Sequence, residues 1–453
     1  MDIKRNSAPT IFFIFGITGD LARTKLLPAL FNLYLEDSLP AKFHVVGFGR
    51  REWNQKQFIA FIEDLTFKQT PKFKAFIKHL TYHQGNFDNL KDYQSAKEVV
   101  QGIDDEFGQC SNKLFYLAVP PSLYKPILLN LHQSKIAQAC GGELGWSRIL
   151  IEKPFGNDLR MARSLNLLLG KLFEEDQIFR IDHYLAKETL QNIVAFKSAN
   201  PIFDSLWNNE HIEKIELQFF EEKTVGTRGA FYDAVGALRD VGQNHLLQML
   251  ALIAMEKPKK LDSETIRSLR AQIVTHLVTI SASKVSSFAT RGQYKGYLDE
   301  EGVSKESTTE TYFKIKAMLS LPQWKGVPFY IESGKALHES RVTMTVYFKG
   351  EKQNILTFHV QPKESIELML WGKKPGENFD YAEHTLGFTF PKPGRRDAYE
   401  KILLDCIAGD HTLFASTIEI EAAWKFIMPI LKHWKDLPLL VYPQKTHPGH
   451  SLS

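Results

Sequence analysis

The spacing of apolar residues changes character near residue 180. Before that point, short continuous apolar runs alternate with segments of helical spacing. "IFFIFG" from Ile11, a glycine turn, a helical stretch and "FHVVGFGRR" read as a βαβ unit, the start of a parallel sheet. "KLFYLAV" (Lys113–Val119) and "RILIEKPFG" from Arg148 fit the same sheet as buried strands. After that point, Ile212–Lys223, Thr311–Leu319, Arg341–Gly350 and Asn354–Pro362 alternate apolar with polar residues, as antiparallel strands with one wet face do. Helices are expected at Leu238–Glu256, Ser263–Ala282 and Ala398–Ile407. The pattern predicts an α/β Rossmann-like domain over residues 1–180, then a larger α+β domain with a mainly antiparallel sheet over 181–453.

A length of 453 residues is consistent with two domains, and 43% hydrophobic residues supply the cores. The net charge of +4 is small and its lysines and arginines are dispersed, so nucleic acid is not implied. Cys110, Cys140 and Cys406 lie far apart with no CxxC pair, which argues against a disulfide framework or a thiolate zinc site and for a reducing cytoplasm. The first apolar run ends at Gly16, too short for a signal sequence, and no stretch reaches the length of a membrane span. No HExxH pattern is present, no metal is expected, and the tail "HPGH" reads as a disordered terminus.

"GITGDLA" places Gly16, Gly19 and Ala22 directly after a strand and at the mouth of a helix. Glycine lets a backbone approach a pyrophosphate, and free N–H groups at a helix start supply the counter-field. A tight turn without a ligand is the alternative. The next strand ends in Arg50 and Arg51, where an NAD site usually carries a carboxylate; a guanidinium suits the 2′-phosphate of NADP, although both could be plain surface residues. Lys25 on the first helix could also reach phosphate or adenosine.

His245 lies four residues from Val241 and from Met249, on an inward stripe; taken alone, a histidine so placed is more often a satisfied core residue than a base. "FRIDHYLAKE" (Phe179–Glu188) crowds polar groups at a strand-to-helix junction, where α/β proteins bind ligands. His183 and Lys187, four apart, can point the same way if the helix begins early, and with Tyr184 they could cradle a phosphate. A capped helix start with surface charges is the other reading.

"GITGDLARTKLLPAL", "FYLAVPPSLY", "IEKPFG", "RIDHYLAKE" and "RDVGQNHLLQML", in that order, resemble the glucose-6-phosphate dehydrogenase family, and "GVPFYIESGKAL" and "DAYEKILLDCIAGDHTLF" extend the resemblance over nearly the whole chain. The resemblance implies oxidation of C1 of glucose 6-phosphate to 6-phospho-D-glucono-1,5-lactone with hydride transfer to NADP, the first step of the oxidative pentose phosphate pathway. It makes His245 the base and Asp182 its carboxylate partner. It gives the sugar phosphate to His183, Tyr184 and Lys187, and the sugar hydroxyls to Lys153, Glu221, Asp240 and Lys335. It gives the cofactor to Gly16, Thr18, Gly19, Asp20, Leu21, Lys25, Arg50, Pro120, Tyr124 and Lys153. Pro154 matches the proline whose peptide bond places that lysine. A cytoplasmic homodimer or homotetramer is implied, without nucleic acid or membrane.

Two departures bear on this. Glu332 stands where many relatives carry Arg, and an inward acid there would weaken anion binding; Ser416 also replaces a common Arg, so a second, structural NADP site is not expected. A silent NADP-binding homologue, or the same chemistry on NAD or another sugar phosphate, are the competing readings. Retention of Asp182, His183, Lys187 and His245 speaks against the silent one.

Overall fold

A computed structural model describes residues 8–63, 70–138, 145–390 and 396–449. The chain divides into two compact units. The first comprises Met1–Gly156, Arg160–His183 and Arg395–Ala415; the second comprises Asn157–Leu159, Tyr184–Gly394 and Ser416–Ser453. The strip Arg395–Ala415 therefore returns to the first unit, although it falls within the 181–453 span of the sequence reading.

In the first unit, strands β1 (Thr10–Phe15), β2 (Phe43–Gly49), β3 (Leu80–Gln84), β4 (Asn112–Leu117), β5 (Ser147–Ile151) and β6 (Ile178–Ile181) form a parallel sheet in the order 6-5-4-1-2-3. This is the doubly wound dinucleotide-binding order, with its switch point between β1 and β4. A two-residue strand, Phe414–Ala415, adds antiparallel to β6. The unbroken apolar runs follow from burial on both faces: every residue of β1 and β4 is buried.

The second unit holds a nine-stranded sheet among the described residues. It is built from β7 (Ile212–Phe220), β8 (Ala289–Tyr294), β9 (Tyr312–Ala317), β10 (Phe329–Gly334), β11 (Arg341–Phe348), β12 (Ile355–Gln361), β13 (Ser365–Lys373), β14 (Tyr381–Thr389) and, beside β8, Leu439–Tyr442. Only β7 with β10, and β8 with Leu439–Tyr442, pair in parallel. β12 alternates buried and half-buried residues along its length, as the sequence pattern implies.

Three expectations need correction. The helix expected over Ser263–Ala282 ends at Thr275, because the backbone straightens and Leu277 bridges to Leu319. The segment expected as one helix over Leu238–Glu256 is a π-helical stretch, Leu238–Leu246, running into an α-helix, Leu247–Ala254. Cys110 is disulfide-bonded, while Cys406 is a buried free thiol; separation along the chain sets loop length, not distance in the fold.

Candidate active site

In the first unit, β1 runs into Gly16, whose φ of +77° suits glycine, and a Cβ there would lie 2.5 Å from the Ala118 carbonyl. The Gly19 N–H donates to the Gly16 carbonyl at 2.8 Å, which closes a tight turn. The helix that follows widens into a π-helical turn at Ala22–Leu26 and continues as Leu27–Leu35. Thr18 and Leu21 are half-buried in this turn, and Asp20 and Lys25 are exposed. The turn thus sits at the switch point with a helix start beside it, a geometry that fits a pyrophosphate.

Arg50 and Arg51 follow β2 and are exposed. Each guanidinium rests on an aromatic ring, Arg50 at 5.6 Å from Phe87 and Arg51 at 4.6 Å from Trp53. Held so, both keep their forked donors available to solvent. Pro120 is exposed after β4, whereas Tyr124 is buried and donates its hydroxyl to the Glu152 carbonyl at 2.9 Å.

β5 delivers Glu152 and Lys153, and the Lys153–Pro154 peptide is cis. Glu152 keeps some exposure, but its carboxyl is enclosed and accepts from the Tyr116 hydroxyl at 2.6 Å. Burial raises that carboxyl to about 7, against the lowering influence of Tyr116, Lys153 and Tyr399, and Asp182 adds to the rise. The sequence reading missed this group; its only signal was an acid beside a buried strand end. Asp182 follows β6 and is itself 3% exposed.

A turn over residues 183–186 leads to the helix Glu188–Ala199, whose N-cap is Lys187 in extended backbone. The helix does not begin early, so the condition for His183 and Lys187 to share a helical face is not met. Lys187 is placed by the turn itself, through its N–H to the Tyr184 carbonyl at 2.9 Å, and its ammonium lies 6.0 Å from the Tyr184 ring.

In the second unit, His245 is 2% exposed in the π-helical stretch. The buried stripe expected here understates the burial: every residue from Val241 to Ala254 is buried. The imidazole lies against Tyr184, ring centroids 4.4 Å apart, and the Tyr184 hydroxyl donates to Gln361 at 3.1 Å. Glu310 accepts from the Leu238 N–H at 3.1 Å, which holds the start of this stretch. Gly236, at φ +76°, leaves room for that carboxylate, since a Cβ there would come within 2.5 Å of it.

Lys335 pairs with Glu221, so two of the expected sugar-binding residues are brought together. The Lys335 ammonium also lies 5.5 Å from the ring of Tyr232. Burial, then the charges of Asp240, Glu310 and Glu221, push the Tyr232 phenol well above its usual range, so Asp240 shares this neighbourhood. Tyr232 was invisible to motif reading because nothing in its local sequence marks it.

Residues 13–192 match the family model described as glucose-6-phosphate dehydrogenase, NAD binding domain, and residues 194–452 match its C-terminal domain. The chain belongs to the glucose-6-phosphate dehydrogenase family. It is 36% identical to glucose-6-phosphate 1-dehydrogenase of Borreliella burgdorferi over 95% of this chain and 93% of that one. It is 38% identical to that of Dictyostelium discoideum over 92% and 87%. A solved glucose-6-phosphate dehydrogenase in complex with glucose-6-phosphate superposes with a TM-score of 0.89 at 31% identity, covering 97% of this chain and 95% of that one.

Proposed function

We propose that this chain oxidises glucose 6-phosphate at C1 to 6-phospho-D-glucono-1,5-lactone with NADP, as the first step of the oxidative pentose phosphate pathway. The observation that carries the reading is a histidine enclosed to 2% exposure yet walled by the ring of Tyr184, a residue of the polar decapeptide. His245 takes the C1 hydroxyl proton, and Asp182 orients it and stabilises the imidazolium. An imidazole suits this work because its ordinary pKa lies near neutrality. His183, Tyr184 and Lys187 bind the phosphate; Lys153, Glu221, Asp240 and Lys335 hold the hydroxyls.

Bound NADP supplies the hydride acceptor. The Gly16–Gly19 turn, with Thr18, Asp20 and Leu21, would hold its pyrophosphate, Arg50 its 2′-phosphate, and Lys25, Pro120, Tyr124 and Lys153 the remainder. In functional terms residues 1–180 serve the cofactor and 181–453 the substrate and self-association.

Among the described residues no helix is long and apolar enough to cross a membrane. A cytoplasmic homodimer or homotetramer is our reading of its setting, as the resemblance implies. The test is absorbance of the reduced nicotinamide with glucose 6-phosphate and either NADP or NAD. Turnover is expected with NADP; none with either cofactor overturns the reading.

A further inference from the structure

The segment from Tyr442 to His447, the last of which opens the "HPGH" tail read from sequence as disordered, crosses the turn that carries Lys335. Tyr442 donates its hydroxyl to the Lys335 carbonyl at 2.7 Å, and the Lys445 N–H donates to the Ala336 carbonyl at 2.7 Å. Ala336 and Lys445 both adopt left-handed backbone, φ +54° and +61°. Non-glycine residues persist there only where their surroundings hold them. Ala336 is held from the other side as well, its N–H donating to the Lys223 carbonyl at 3.0 Å and that of Leu337 to the Glu221 carbonyl at 3.0 Å.

His447 closes the crossing. Its Nε2 lies 2.8 Å from Glu332 Oε1, and its ring contacts Phe220 at 5.5 Å and His338 at 5.9 Å. Glu332, 2% exposed, also accepts from the Tyr312 hydroxyl at 2.6 Å and lies 3.7 Å from the Lys314 ammonium. Glu332 is therefore matched by groups of this chain, and it faces them rather than an incoming anion. A buried carboxylate with such partners is costly to leave alone, so strap and strand hold each other.

We propose that this C-terminal strap, closed by the His447–Glu332 pair, is a positioning device for Lys335: it fixes the turn that holds the ammonium at Glu221 and so sets affinity for the sugar. The proposal rests on the reading of Lys335 as a sugar-binding residue. His447 and Glu332 are positioning residues and touch no substrate.

The test uses the full chain with His447→Ala, Glu332→Gln and the double variant. Each single change is expected to raise KM for glucose 6-phosphate about fivefold while kcat and KM for NADP stay within about twofold, and the double variant to be no worse than the worse single one. Amide hydrogen exchange at Ala336 and Leu337 should quicken in parallel. Should Glu332→Gln fail to fold, Tyr442→Phe removes the hydroxyl that reaches the Lys335 carbonyl and Thr311, and should raise the same KM. Unchanged KM in His447→Ala overturns the strap. If the unaltered protein does not turn over the sugar phosphate, the functional reading fails instead, and unchanged exchange at the two amides in His447→Ala then overturns the strap on its own.

Discussion

The rings of Tyr184 and His245 lie 4.4 Å apart with their planes tilted by 42°, while the Tyr184 hydroxyl is tied to the Gln361 side chain. One residue thus has two separable parts, a ring that walls the imidazole and a hydroxyl that makes polar contacts. Tyr184→Phe keeps the wall and should raise KM for glucose 6-phosphate severalfold at nearly unchanged kcat. Tyr184→Ala removes the wall and should lower kcat about tenfold, since a base that can tilt away loses its alignment. Equal kcat in the two variants would show that the ring contact has no catalytic consequence.

For His245 itself, replacement by Asn keeps a polar group of similar size but no proton acceptor of suitable pKa. The expected result is a fall in kcat of at least about 10²-fold with KM for both substrates retained. A kcat near the original would return His245 to the role of a core histidine, which its 2% exposure alone would allow.

The elements most legible in sequence are those whose pattern is set by burial on known faces. β1 and β4 are unbroken apolar runs because both faces are covered, and β12 alternates because one face is not fully covered. What the pattern could not carry is set by partners distant in sequence. The return of Arg395–Ala415 to the first unit depends on Phe414 and Ala415 pairing with β6, more than two hundred residues earlier. Lys187 looked like a helical residue because helix propensity continues through "LAKETLQ", yet the turn bond to Tyr184 delays the helix to Glu188. Tyr232 and Glu152 gain their interest from burial beside charges, which no local spacing encodes. His447 reads as tail until Glu332, in the middle of a distant strand, supplies its partner.

Two exposed guanidiniums, each seated on a ring after β2, stand where a 2′-phosphate would set cofactor choice. Arg50→Ala should raise KM for NADP at least about tenfold and leave KM for NAD within about twofold, the loss of a charge-assisted contact to the 2′-phosphate. Steady-state kinetics with both cofactors measures this, and an unchanged ratio would show that Arg50 does not contact the 2′-phosphate.

The role of Lys187 can be isolated by comparing substrates with and without phosphate. Lys187→Ala should raise KM for glucose 6-phosphate while sparing the slower oxidation of free glucose. An equal loss on both sugars would contradict a phosphate contact and favour a role in holding the turn through which its N–H reaches the Tyr184 carbonyl.

Glu152 links the site to stability. Its carboxyl is raised from 4.5 to about 7 in the folded chain, first by burial. Between those two values the folded state holds more protons than the unfolded chain, so stability contributed by this group falls as pH rises through the window. Below it the group costs nothing, and above about 7 the full cost of a buried charge is present. Glu152→Gln keeps an acceptor for the Tyr116 hydroxyl but cannot ionise. Its melting temperature should therefore stay close to that of the original protein near pH 4.5 and exceed it by roughly 10 °C at pH 8, the shift expected for the roughly 3 kcal/mol that separates a carboxyl titrating near 7 from one at 4.5. Thermal melts at the two pH values decide it: a gain that is the same at both would mean that the carboxyl does not titrate in this range, and that Tyr116 and its neighbours hold it in one protonation state throughout.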